Sequence, residues 1–153
     1  MTPEEKIKAM GLGLPEAPKP LGSYIPVVQT GNLLFIAGQL PTIQGKLQHV
    51  GKLGKEVTVE EGAQDAKICA LNALSIVKGQ IGELSRVKRI VRLSGFIRSA
   101  EGFTDQPKVM NGASDFLGEL FGEMGRHARV AIGVNELPLG APVELEMIVE
   151  VEN

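Results

Sequence analysis

The spacing of apolar residues predicts two long amphipathic helices. In "TVEEGAQDAKICALNALSIVKGQI", Thr58 and Glu61 form a capping-box pattern, and apolar residues then recur at helical spacing. A second helix is predicted over residues 105–123, with Asp105 as its cap and Pro107 in its first turn. Each helix carries one apolar stripe, so each is expected to pack one side against a core.

Strands are predicted around these helices. Two apolar runs flank Thr30-Gly31-Asn32, which indicates a hairpin with strands at residues 24–29 and 33–37. A short capped helix is expected to begin at Thr2. The other predicted strands are a short one near 46–50, a long one at Val87–Ile97, and two at the end of the chain, Ala128–Asn135 and Val143–Val151.

This order predicts an α+β fold in which both long helices cover one face of a mixed sheet. Residues 1–22, which contain three prolines between Gly11 and Gly22, are interpreted as an N-terminal arm, and residues 23–153 as a single domain. Nothing is left in the chain to cover the second face of the sheet. A half-apolar sheet face of this size predicts self-association, for which closed symmetric assemblies are the common solution.

Amino-acid composition and net charge limit the kinds of function that the protein can have. Hydrophobic residues make up 43% of the chain and aromatic residues 4%, so the core must be aliphatic. The net charge of −2 argues against a general nucleic-acid binder. The basic run "RVKRIVR" at residues 86–92 could form a local basic patch, but its alternation favours a strand with one solvated face.

Targeting and metal-binding signals are missing from the sequence. No apolar run approaches the length of a membrane span, and no signal-peptide pattern opens the chain, so we expect a cytoplasmic protein with no membrane association. Cys69 is the only cysteine and is interpreted as a buried, inert thiol. With only His49 and His127 beside it, no metal site is expected.

The last two strands carry the candidate chemistry. On the assumption that purely aliphatic rows face the helices, Arg129 and Glu144 are both predicted to point to the opposite face, with the small residues Ala131 and Gly133 leaving space beside Arg129. One interpretation is an Arg–Glu pair across strands or subunits. The other is a pocket in which Arg129 binds a ligand carboxylate and Glu144 handles a proton or a water.

Three further residues are candidates for contact with a ligand, and each also has a simpler structural interpretation. Tyr24, the only tyrosine, could contact a ligand or lie in an ordinary interface. Asn111 could face the same pocket or only solvent. Gly38 could allow a ligand to approach the backbone closely, or it could mark a bulge or turn.

Three segments in the same order resemble the reactive intermediate deaminase (Rid) or YjgF family, also labelled endoribonuclease L-PSP. They are "SYIPVVQTGNLLFIAGQLP", "MNGASDF" and "ARVAIGVNELPLGAPVELE". The resemblance covers about Leu21 to Val151 and implies a chorismate-mutase-like fold that assembles as a homotrimer with a pocket at each subunit interface. It also implies deamination of reactive enamines or imines of amino acids, such as 2-aminoacrylate, to 2-oxo acids and ammonia.

Site roles follow from the resemblance by position. Arg129 would bind the substrate carboxylate, and Glu144 would position or activate the attacking water. Tyr24 and Asn111 would line the pocket, the Gly38 backbone would border it, and no cofactor would be needed.

The chain also departs from the family. Ala37 and Ala131 stand where better-known members have a hydroxyl residue and a cysteine, and the loop "QGKLQHVGKLGKE" is longer than in compact members. A non-catalytic trimer that binds small carboxylates in a regulatory role is therefore the alternative, and a ribonuclease is a third.

Overall fold

The computed structural model describes residues 1–17 and 23–153 and has a five-stranded mixed sheet as its centre. The strand order is β1-β2-β7-β5-β6, in which β5 and β6 are parallel and all other neighbours are antiparallel. The sheet strands are β1 (Val27–Thr30), β2 (Leu33–Gln39), β5 (Val87–Arg98), β6 (Ala128–Val134) and β7 (Val143–Val151). A separate small hairpin consists of β3 (Thr42–Ile43) and β4 (Lys46–Leu47).

The helices are α1 (Pro3–Ala9), α2 (Val59–Ile81) and α3 (Gln106–Phe121), and the two long ones cover one face of the sheet. The helix-facing row of β7 is aliphatic and almost fully buried, with no member more than 1% exposed: Val143, Leu145, Met147, Val149 and Val151. Aliphatic burial of this kind is the main stabilising term of a domain. The predicted α+β class, with both long helices on one face, is confirmed.

The opposite face of the sheet has no helix over it among the described elements. Apolar side chains lie exposed there, with Phe35 at 42% and Ile132 at 43% of their full accessible area. Such a face is typical of an association surface.

Two details of the predicted elements are wrong. Asp105 makes no capping hydrogen bond, because its backbone is not in the extended conformation that a cap residue adopts. The first strand begins at Val27 rather than Tyr24, since Pro26 has no N–H to donate to a ladder. By contrast, the capping boxes at Thr2 and Thr58 both form.

Helices α2 and α3 approach each other closely at Gly112. A Cβ atom at this position would overlap the backbone carbonyl of Ala63, which cannot move away as a flexible side chain could. Only glycine therefore permits this helix spacing.

The long loop before α2 is tied to that helix by His49. Its Nδ1 lies 3.0 Å from Oδ1 of Asp65, and its Nε2 lies 3.3 Å from Oε2 of Glu61. Asp65 is fully buried, and burial raises the pKa of its carboxyl although His49 opposes that rise. The imidazole is thus the only hydrogen-bond partner of a buried carboxylate within the described residues.

We expect Gly112→Ala to lower the free energy of unfolding by about 1 to 3 kcal/mol, because the new methyl group forces the helices apart. Gly118→Ala is the matched control on the same helix, since a Cβ there meets nothing within 4 Å. That control should stabilise by up to about 1 kcal/mol through helix propensity. Urea unfolding measures the free energy of unfolding of both variants. Equal changes in that free energy would contradict the steric explanation.

We expect His49→Ala to destabilise the fold by about 3 kcal/mol at neutral pH, because it leaves the Asp65 carboxylate buried without a partner. The loss should shrink as pH falls, since protonated Asp65 carries no charge to bury. Urea unfolding at pH 7 and pH 4 measures this difference. The double variant His49→Ala/Asp65→Asn should recover most of the stability at pH 7, and a loss independent of pH would contradict the account.

Candidate functional site

Arg129 lies on the helix-covered side of the sheet, which corrects the predicted strand face. It is level with Leu93 on the neighbouring parallel strand β5, and Leu93 is fully buried beneath the helices. Ala131 also packs against the core, while Ile132 is 43% exposed on the other side. The row containing Arg129, Ala131 and Gly133 therefore meets the helices.

The prediction failed because it assumed that the aliphatic row of a strand must face the helices. In β6 the row that contains Ala131 and Gly133 faces the helices instead, because there is little space on that side. A Cβ at Gly133 would lie 3.0 Å from both Gln106 Nε2 and Ser99 Oγ. Alternation along a strand separates two faces but does not say which one is covered when both carry apolar residues.

The Arg129 guanidinium is held by two side chains of α3. Its Nη1 donates to Asn111 Oδ1 at 2.8 Å and to Ser114 Oγ at 3.1 Å. Asn111 and Ser114 are three residues apart on one helix, so they lie on the same side of it. Asn111 and Arg129 are thus in contact within a single chain, although Asn111 itself remains exposed to solvent.

His127 adds a further contact behind Ser114. Its Nε2 lies 2.9 Å from Ser114 Oγ, and its Nδ1 lies 2.7 Å from the carbonyl oxygen of Gly125. Burial lowers the pKa of His127, as does the neighbouring Arg129, although the Gly125 contact opposes this. An open cavity of about 260 Å³ adjoins the group and is lined by Ser114, Gly118, Gly125, Arg126, His127 and Arg129.

Ser114 and His127 were missed by the sequence reasoning. Ser114 lies inside the quoted segment "MNGASDF", three residues after Asn111, and His127 is two residues before Arg129. Helical spacing from Asn111 could have indicated Ser114. His127 carried no such signal, because the turn that brings it to α3 follows the helix end.

Glu144 lies on the open face of the sheet, as predicted, and belongs to a second group of residues. Its Oε2 covers Gly38 so closely that a Cβ there would lie only 2.6 Å away. The register of β2 against β7 shifts between Ile36 and Gln39, so Gly38 also sits in a bulge. Gly38 therefore serves both as a bulge and as the place where a carboxylate reaches the backbone.

The Glu144 carboxylate makes no hydrogen bond with any described residue, although it is half-buried. Partial burial raises the pKa of Glu144, and repulsion from Glu146 adds to the rise. A carboxylate with a raised pKa and no structural partner is suited to accepting and returning a proton.

Strand β5 separates the two groups within one chain. Arg129 is level with Leu93 of β5 on its β6 side, and Glu144 is level with Phe96 on its β7 side. Because their side chains also point to opposite faces, a single copy does not bring Arg129 and Glu144 together. Tyr24 is 64% exposed, and its hydroxyl makes no hydrogen bond within residues 1–17 and 23–153.

The chain departs from the family pattern at two positions, one beside Arg129 and the other beside Gly38 and Glu144. Ala131 is two residues after Arg129 on the same face, and Ala37 directly precedes Gly38. Ala37 places a methyl group where the resemblance implies a hydroxyl residue, and Ala131 places one where it implies a cysteine.

Cys69 is fully buried, as predicted, and burial raises the pKa of its thiol. In the part of the chain that the structure describes, no three His, Cys, Asp or Glu side chains are grouped so that they could hold a metal ion. Within that same part, no helix is long and apolar enough to cross a membrane.

The chain belongs to the YjgF/chorismate mutase-like family, whose description names an endoribonuclease, because the family model matches residues 4–150. It is 43% identical to Protein TCP17 from Trypanosoma cruzi over 96% of this chain and 92% of the relative. It is 29% identical to a 2-iminobutanoate/2-iminopropanoate deaminase from Dermatophagoides farinae over 92% and 95% of the two chains. The crystal structure of Atu1372, a protein of unknown function from Agrobacterium tumefaciens, matches with a TM-score of 0.94 and 39% identity, covering 99% of this chain and 94% of that one.

At pH values above neutral, we expect Glu144→Gln to raise the melting temperature by a few degrees. At low pH, we expect the substitution to have no effect on the melting temperature. The folded-state pKa of Glu144 is raised, so its contribution to stability is present below its unfolded-state pKa and is lost as pH rises through the folded-state pKa. Thermal unfolding at pH 4 and pH 8 tests the sign. Glu152→Gln, at an exposed position near the end of the chain, is the control, and a drop at pH 8 would contradict the prediction.

Proposed function

We propose that this protein is a deaminase that hydrolyses imine or enamine intermediates of amino acids to 2-oxo acids and ammonia. Two charged groups carry the proposal. The Arg129 guanidinium is held in place by Asn111 and Ser114, and the half-buried Glu144 carboxylate has no hydrogen-bond partner among the described residues. Membership of the family and similarity to a protein named as an imine deaminase support the same activity.

The active site would form between copies of the chain, because one copy keeps the two groups on opposite faces of its sheet. The Arg129 group of one subunit would meet the Gly38 and Glu144 group of the next, with Tyr24 lining the pocket between them. The exposed apolar side chains of the open face, including Phe35 and Ile132, support such an assembly. A homotrimer is the proposed state, and light scattering coupled to size exclusion measures it.

In this site Arg129 would bind the substrate carboxylate through a bidentate pair of hydrogen bonds and so orient the imine carbon. Glu144 would accept a proton from water as the water oxygen bonds to that carbon. Glu144 would return that proton to the nitrogen, which gives a carbinolamine. It would then transfer the proton of the new hydroxyl group to the same nitrogen as the C–N bond breaks, so that ammonia leaves and the 2-oxo acid remains. Each turnover consumes one water and restores both side chains, so these steps require no cofactor.

The test generates 2-aminoacrylate from serine with a dehydratase and follows its disappearance by trapping the remaining imine with semicarbazide. We expect the wild-type protein to accelerate its loss. Arg129→Ala should lower kcat/KM about 10- to 150-fold, since a hydrogen bond to a charged group contributes about 1.5–3 kcal/mol. Lys108→Ala is the charge-matched control, because Lys108 is exposed and, among the described residues, pairs only with Asp105, at 3.8 Å.

A binding role without turnover is the second candidate, and Ala37 and Ala131 favour it because they replace the hydroxyl and thiol groups that the resemblance implies. Saturable binding of pyruvate or 2-oxobutanoate that depends on Arg129, with no acceleration of imine loss across several imines, would replace the deaminase proposal with this one. Cleavage of RNA that weakens with added salt would instead support the ribonuclease named in the family description.

A further inference from the structure

The contacts of His127 fix which of its ring nitrogens carries the proton. Nδ1 lies 2.7 Å from the carbonyl oxygen of Gly125. A carbonyl oxygen can only accept a hydrogen bond, so Nδ1 must be the protonated nitrogen. In the neutral ring, Nε2 then has a free lone pair and can only accept.

That assignment fixes the direction of the next hydrogen bond. Ser114 Oγ lies 2.9 Å from Nε2 of His127, and the serine hydroxyl therefore donates its single proton to the ring. The lone pairs of Oγ remain for a donor on the other side, where Nη1 of Arg129 lies 3.1 Å away. The order of donation is thus Arg129 to Ser114, Ser114 to His127, and His127 to the Gly125 carbonyl.

Both hydrogens of Nη1 are used by this arrangement. One is donated to Ser114, and the other to Asn111 Oδ1 at 2.8 Å. The Nε and Nη2 hydrogens of Arg129 have no acceptor in the described parts of the chain. These atoms share one edge of the guanidinium plane, and that edge presents two parallel N–H bonds at the spacing of a carboxylate.

We propose that Ser114 and His127 are positioning residues, which set the rotation of the Arg129 guanidinium so that its Nε–Nη2 edge faces the ligand carboxylate. The inference rests on the proposed function in one respect, namely that Arg129 binds a carboxylate. It goes beyond that function by assigning roles to two residues that need not touch the substrate.

The first test measures the dissociation constant of pyruvate, and the KM and kcat for 2-aminoacrylate, in Ser114→Ala. We expect Kd and KM to rise about 5- to 15-fold, the size of one lost hydrogen bond, while kcat changes less than about 2-fold. Ser114→Thr keeps the hydroxyl and should restore both constants. Ser85→Ala is the matched control, because that exposed hydroxyl donates its one described side-chain hydrogen bond to Glu83, far from the Arg129 group in sequence.

The second test uses ¹⁵N NMR of the intact folded chain to determine the tautomer of His127 directly. The expected spectrum shows a protonated Nδ1 and an unprotonated Nε2 at neutral pH. Adding His127→Ala to Ser114→Ala should not weaken pyruvate binding further, because the chain of hydrogen bonds is already broken. A protonated Nε2 in the neutral ring, or fully additive losses, would overturn the inference.

The two proposals fail in distinguishable ways. If wild-type protein binds pyruvate and hydrolyses the imine while Ser114→Ala does both equally well, only the positioning role is overturned. If Arg129→Ala binds pyruvate as well as wild type does, carboxylate binding by Arg129 is overturned, and the positioning role with it. A rise in KM for Ser114→Ala that Ser114→Thr reverses supports both.

Discussion

The close contact between helices α2 and α3 at Gly112 is the constraint on which the candidate site depends. Gly112 meets the backbone of Ala63, so the depth and rotation of α3 over the sheet are set by a contact with no adjustable side chain. Asn111 and Ser114 flank this glycine, and both bind Nη1 of Arg129. A change in helix spacing would therefore move both acceptors together and rotate the guanidinium away from its present orientation.

Strand β6 is where the fold and the site are coupled. One row of its side chains packs under α3 and carries Arg129, while the other row places Ile132 on the open face. As an edge strand it is covered by few neighbours, so a cation can lie beside the helix without being desolvated completely. Central strand β7 could not place an arginine on its helix-facing side in this way, because that row is almost fully buried and α2 packs against the strand.

Local signals in the sequence were sufficient for most of the fold. Capping residues and apolar periodicity located α1 and α2, and strict alternation located β7 and its buried row. The face of β6 could not be predicted in the same way, because both of its rows are apolar enough to be buried and the choice depends on tertiary packing at Gly133. His127 was missed for a related reason: its contact with Ser114 depends on a turn of 3₁₀ helix at Gly122–Gly125 that no local pattern marked.

The polar residues around Arg129 and those around Glu144 differ in how many of their hydrogen-bonding groups have a partner. Around Arg129, each described hydrogen bond has a defined donor and acceptor, and only one edge of the guanidinium is left free. Around Glu144, burial raises the pKa and no described partner offsets it. Residues selected for stability alone would not leave a half-buried carboxylate and one edge of an anchored cation unpaired. On the proposed function both are satisfied by the same event, when a carboxylate-bearing imine and its attacking water bind between two copies of the chain.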